Sequence, residues 1–136
     1  IIQMAQGSPR QIIMLLSRIY EEQSKMDAQV KRFSEHAIEE GTKVFCQCFE
    51  YQLFYPNSEI KQSINRILMM NKNEFEITNL ASVTKKSAVT AGNWVRTMIS
   101  YGLVEEIEGN NGRAKLYSVI DPKLIFLINN KLGYIG

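Results

Sequence analysis

The sequence predicts a mainly α fold with a small β-hairpin. A helical region covers about residues 1–56, and a compact domain covers about 57–136. Three observations carry this. Apolar residues recur at helical spacing, as in Ile60, Ile64, Ile67 and Leu68. Residues suited to helix caps stand before such runs, namely Ser8, Ser34 and Ser87. β chemistry concentrates between Leu103 and Val119, around the turn residues Gly109-Asn110-Asn111-Gly112.

The first helix starts at Gly7-Ser8-Pro9-Arg10-Gln11. Ser8 is its cap, Pro9 suits the first helical position and Gln11 completes a capping box. Ile12, Ile13, Leu15, Leu16, Ile19 and Tyr20 give it a broad apolar face to about Ser24. Lys25 to Lys31 reads as a connection into which the helix has room to extend. Ser34 caps the second helix, with Phe33 and Ile38 placed as a hydrophobic staple, and the helix is expected to run to about Phe54. Gly41 inside it costs about 1 kcal/mol relative to alanine, which weakens the expectation of one unbroken rod. Pro56 forces Tyr55 towards extended geometry and ends it.

Asn57 or Ser58 caps a third helix from Glu59 to about Asn71. Glu74-Phe75-Glu76-Ile77 alternates like a short strand. Thr78 caps a short helix carrying Leu80, Ala81 and Val83, and Lys85-Lys86-Ser87 makes a turn. Ser87 caps the next helix, about Ala88 to Tyr101, and Gly102 ends it in a left-handed conformation. Leu103 to Glu108 is a strand with Val104 and Ile107 among carboxylates. Ala114 to Val119 is the return strand, with Leu116 and Val119 as core contacts. Asp121 and Pro122 open a last helix, about Lys123 to Lys131.

Bulk composition narrows the function. With 136 residues, 45% hydrophobic and 22% charged, the chain is an ordinary globular protein with one domain or two small ones. A net charge of +2 and a pI of about 8.6 predict modest, salt-sensitive affinity for nucleic acid from charge alone. No apolar run reaches the roughly 18 residues of a membrane span, and no signal peptide is visible. Cys46 and Cys48 point to different faces of a helix and suit a reducing cytoplasm, so a cytoplasmic protein is expected. The chain begins at Ile1 and runs almost at once into a helix, which reads as a fragment of a longer protein.

Catalytic signals are thin. His36 is the single histidine, and Cys46-Gln47-Cys48 lacks the further ligands of a zinc site. The pairs Glu21-Glu22, Glu39-Glu40 and Glu105-Glu106 diverge as solvated charge. Met69, Met70 and Met98 read as core filling. No catalytic residue, metal ligand or cofactor is therefore expected within these residues.

Short strand, short helix, tight turn, second helix and hairpin is the order of a winged helix-turn-helix, a module that presents one helix and one hairpin to nucleic acid. At about 100° per residue, Ala91, Val95, Met98 and Gly102 line one face of the second helix, flanked by Ala88 and Trp94. Lys86, Thr90, Asn93, Arg96, Thr97 and Ser100 lie opposite. Asn93 and Arg96 have the donors that pair with adenine and guanine edges, and Thr97 lies beside them. Lys85, Lys86, Ser87 and Thr90 stand at the helix start for phosphates. Arg113 at the hairpin tip, with Lys115 nearby, suits an adjacent minor groove or backbone. Double-stranded DNA is the expected partner. Over Lys85 to Lys115, Lys85, Lys86, Arg96, Arg113 and Lys115 are opposed only by Glu105, Glu106 and Glu108, a small basic excess.

Two resemblances add to this. Phe75 to Val119 resembles winged-helix domains of bacterial and archaeal DNA-binding proteins, through Ile77-Thr78-Asn79-Leu80-Ala81, the passage from Trp94 to Gly102-Leu103-Val104, and Gly112-Arg113-Ala114-Lys115-Leu116-Tyr117. That likeness is specific for fold and weak for partner. Gly7-Ser8-Pro9-Arg10 and the apolar helix Gln11 to Glu22 resemble the Gly-x-Pro-Arg element in the helical lid of prokaryotic P-loop ATPases of the AAA+ and signal-transducing classes. Phe33-Ser34-Glu35 through Tyr55-Pro56 is similar to the segment that follows that element in some bacterial P-loop ATPases. The resemblance implies that Arg10 senses nucleotide and that ATP binds a preceding domain of the same protein. No Gly-x4-Gly-Lys-Ser/Thr loop occurs in this chain.

The leading expectation is a non-catalytic DNA-binding module forming the C-terminal part of a larger P-loop ATPase. Two alternatives stay open at this point. One is a protein-interaction or lid element of an ATPase with no DNA role. The other is a free-standing transcription regulator that forms a homo-oligomer through its N-terminal helices.

Overall fold

A computed structural model of the chain describes residues 3–27, 33–107 and 115–136. Among these residues the fold is mainly helical, with a small antiparallel sheet. The elements are α1 (Pro9–Asp27), α2 (Glu35–Cys48), a short 3-10 helix (Tyr51–Leu53), α3 (Ile60–Met70), β1 (Glu74–Glu76), α4 (Ile77–Thr84), α5 (Ala88–Ser100), β2 (Val104–Ile107), β3 (Leu116–Val119) and α6 (Pro122–Asn129). They form two compact units, Ile1–Phe49 with Ile135–Gly136, and Glu50–Tyr134. No helix among the described residues is long and apolar enough to cross a membrane.

The first unit is a helical hairpin. The Ser8 hydroxyl accepts from the Gln11 N–H at 3.3 Å and starts α1, and the Ser34 hydroxyl accepts from the Ala37 N–H at 3.1 Å and starts α2. A Lys25–Glu22 ion pair of 3.0 Å lies in the last turns of α1, which continues to Asp27. Gln11, Leu15, Ile19 and Gln23 form its buried row at a spacing of four. The two helices run antiparallel: Gln23 Oε1 accepts from the Ser34 N–H at 2.9 Å, and Cys46 Sγ lies 3.6 Å from Met4 Sδ. Between these contacts Gly41 lies against Ile19, where a Cβ would fall 2.5 Å from the Ile19 Cα. Gly41 therefore allows close helix packing instead of interrupting α2. The expected staple does not bury Phe33, which stays 38% exposed. Cys46 and Cys48 are both free thiols.

α2 ends at Cys48, short of the expected Phe54, because Phe49 turns extended (φ −59°, ψ 126°). The sequence reading joins residues 50–56 to the helical region, whereas they pack with the second unit. Two hydrogen bonds account for this. The Tyr51 hydroxyl donates to Asp121 Oδ2 at 3.1 Å, and the Tyr55 hydroxyl donates to the Tyr101 carbonyl at 2.9 Å.

In the second unit, α3 buries Ile60, Ile64, Ile67 and Met70. Its cap position is Glu59; the expected Ser58 contributes a long 3.4 Å contact from the Ile60 N–H. α4 begins at Ile77, two residues earlier than a Thr78 cap implies, and Thr78 is not its cap. Glu76 is, its N–H donating to Asn79 Oδ1 at 2.8 Å. Ser87 caps α5 through the Thr90 N–H at 3.2 Å, and Gly102 follows at φ 69°, both as the sequence predicts.

β3 is the central strand, antiparallel to β1 on one side and β2 on the other. Phe75 pairs with Tyr117 and Val104 with Val119, and all four are buried. Leu116 is only half-buried, contrary to expectation. Side chains alternate along a strand, so Leu116 and Val119, three apart, cannot share a face; Tyr117 is the residue that joins Val119 in the core. Leu116 pairs with Ile107 on the opposite face.

Gly92 contrasts with Gly41. A Cβ there meets only Ile77 Cδ1, at 3.7 Å. Gly92→Ala is expected to stabilise the second unit by about 1 kcal/mol, since alanine is the better helix former. Urea unfolding followed by the fluorescence of Trp94, the single tryptophan, reads this directly. A lower midpoint would show that the contact with Ile77 is tighter than ordinary packing.

Candidate nucleic-acid interface

The candidate site is built on α5. Ala91, Val95 and Met98 are buried, so the core face is the expected one. Gly102 ends the helix in the open instead of extending that face. Asn93, Arg96 and Ser100 are exposed on the far side, and Thr90 and Thr97 are half-buried at its edge. Tyr101 locks the end of α5 to the start of α3: its hydroxyl accepts from the Glu59 N–H at 3.1 Å, and its ring meets Tyr55 edge-on at 5.4 Å. A rigid helix with a free polar face is the arrangement that major-groove readout requires.

The helix start is partly committed to its own structure. Lys85 is the left-handed end of α4 at φ 56°, and Lys85 and Lys86 are both exposed. The Ser87 hydroxyl accepts from the Thr90 N–H and donates to Thr90 Oγ1 at 3.0 Å, so both of its functions serve the cap. The Thr97 hydroxyl donates back to the Asn93 carbonyl at 3.2 Å, and the Ser100 hydroxyl to the Thr97 carbonyl at 2.6 Å. The uncommitted polar chemistry of the face is thus concentrated in Lys85, Lys86, Asn93 and Arg96.

Arg113 lies outside the described residues, as does the hairpin turn. Lys115 is exposed but sits 3.9 Å from Glu106, a carboxylate that competes with phosphate for it. Arg10 is exposed at the second position of α1, in the other unit.

Two features escape a reading by residue type. Arg66, on α3, places its guanidinium carbon 3.7 Å from the centre of the Trp94 ring. Burial pulls its pKa below the ordinary arginine value, against the opposing pull of Glu59, and it stays a cation at neutral pH. The contact makes Trp94 a packed, half-buried residue on the flank of the core face, where the helical angle places it. The second feature is Val89, 76% exposed on the polar side of α5. Its spacing from Asn93 and Arg96 was the available signal.

Comparison with protein-family models, curated proteins and solved structures finds no match.

Proposed function

We propose that the Glu50–Tyr134 unit is a winged helix-turn-helix that binds double-stranded DNA without catalysing a reaction. In this reading α5 enters the major groove, and the hairpin between β2 and β3 is the wing. The observation that carries it is the exposed row Asn93–Arg96–Ser100 on a helix held by α3 and α4, in an element order α3-β1-α4-α5-β2-β3 with β3 central. Asn93 and Arg96 supply base-edge donors, Lys85 and Lys86 supply phosphate contacts, and Arg113 grips backbone from the wing. The protein works in a reducing cytoplasm, where Cys46 and Cys48 remain thiols.

The first unit supports a complementary reading. Ile13 and Tyr20 are 65% and 62% exposed, and with Leu16 and Phe33 they line an open apolar groove along α1. A contiguous apolar row of this kind suits a protein partner. The resemblance of this region to ATPase lids makes a nucleotide-binding P-loop domain of the same protein the partner of choice, with Arg10 sensing the nucleotide. If α5 binds no DNA, the whole chain is better read as such an interaction element.

Fluorescence anisotropy with labelled duplex DNA across a salt series tests the DNA reading. Micromolar or tighter binding that weakens as salt rises is expected. Arg96→Ala should weaken it about tenfold, and Arg113→Ala should reduce its salt dependence. Absence of binding at low salt would overturn the proposal.

A further inference from the structure

Val89, Asn93, Arg96 and Ser100 follow one another at spacings of four, three and four along α5. At 3.6 residues per turn they fall within an arc of about 60°, and the buried Ala91, Val95 and Met98 lie on the opposite side. Val89 is the apolar member of this row and its side chain is 76% exposed. A β-branched residue lowers helix propensity, and at this exposure it contributes little burial, so neither stability term accounts for a valine here.

We infer that Val89 reads the 5-methyl group of a thymine in the major groove. The inference rests on the DNA-binding reading of α5 and specifies its substrate. Thymine alone among the four bases carries a methyl group on the major-groove edge, and apolar side chains recognise it by contact. Val89 precedes Asn93 by one turn and Arg96 by two, so all three meet the same groove floor. The preferred site therefore holds a thymine within the stretch of base pairs covered by Asn93 and Arg96. Hydrogen bonding fixes the purines, and exclusion of water from the methyl group fixes the thymine.

The test uses the full 136-residue chain. Duplexes retained from a randomised pool are sequenced, and each fixed thymine is replaced in turn by deoxyuridine, which removes only the methyl group. Loss of one buried methyl is expected to weaken wild-type binding about fourfold at one position. Val89→Ala should bind the thymine duplex correspondingly more weakly and no longer distinguish thymine from deoxyuridine there. Circular dichroism checks that the variant folds, which is expected because alanine favours the helix. Equal deoxyuridine effects in both proteins, no fixed thymine, or wild-type affinity in Val89→Ala would overturn the inference. If Arg96→Ala still weakens binding in those cases, the DNA reading survives without it. If no duplex is retained, both fall.

Discussion

Asp121→Ala is expected to destabilise the Glu50–Tyr134 unit by about 3–5 kcal/mol, the usual cost of breaking a buried ion pair from one side. Asp121, Lys123 and Tyr51 are each at most 4% exposed. Asp121 Oδ1 lies 3.4 Å from Lys123 Nζ and accepts the Lys123 N–H at 2.8 Å, while Oδ2 accepts the Tyr51 hydroxyl at 3.1 Å. One carboxylate thus neutralises a buried ammonium, caps α6 and ties down the 3-10 helix. Alanine removes all three and takes the Asp121 carboxylate away from a buried ammonium. Lys123→Met alone leaves the cap and the Tyr51 bond in place and should cost less. In the double variant the buried charge is gone as well, so it should be more stable than Asp121→Ala itself. Urea unfolding monitored at Trp94 measures all three. A loss under about 1 kcal/mol for Asp121→Ala, or simple additivity in the double variant, would show that the pair is not coupled as its geometry implies.

This cluster also shows where the sequence stops being legible. Ser8, Ser34, Ser87 and Asp121 all read correctly as caps because a cap is local: a side-chain oxygen meets an N–H two or three residues ahead. Gly102 is local in the same sense. Tyr51 and Asp121 stand 70 residues apart, and nothing in the spacing of either names the other. The packing of Tyr51 with the second unit follows from that distant bond, and helical periodicity alone, which registers neither it nor the extended turn at Phe49, overruns the end of α2. Leu116 and Tyr117 differ for another reason. Apolar character favours Leu116 as the core contact, but the strand's period of two couples Tyr117 with Val119. At the candidate site, helical angle was enough to expose Asn93 and Arg96, because the core stripe Ala91–Val95–Met98 leaves only one free side. Val89 satisfies the same angle and is missed only when polar residues alone are sought. The Arg66–Trp94 contact joins two helices and has no local signature.

Gly41→Ala should destabilise the first unit by about 2 kcal/mol, although alanine is intrinsically the better helix former. Overpacking a closed core costs up to about 3 kcal/mol. The gain in helix propensity returns about 1 kcal/mol of that. The upper end of the overpacking range applies because of what the new methyl group would strike. Its nearest neighbours are the Ile19 Cα at 2.5 Å, and Cγ1 and N of the same residue at 2.7 Å. Two of these three atoms are backbone, so a rotamer change cannot clear them, and α1 and α2 must move apart. Trp94 lies in the other unit, so the readout is hydrogen exchange across α1 and α2, with far-UV circular dichroism following the loss of helix. Protection should fall in both helices while the Trp94 transition keeps its midpoint. Trimming the side chain separates this cause from general crowding. Ile19→Ala removes the Cγ1 contact but neither backbone atom, so it should fail to rescue Gly41→Ala and should add its own cavity cost. Rescue by Ile19→Ala would mean that the helices are held apart by side chains, and that the close backbone approach at Gly41 is not what sets their spacing.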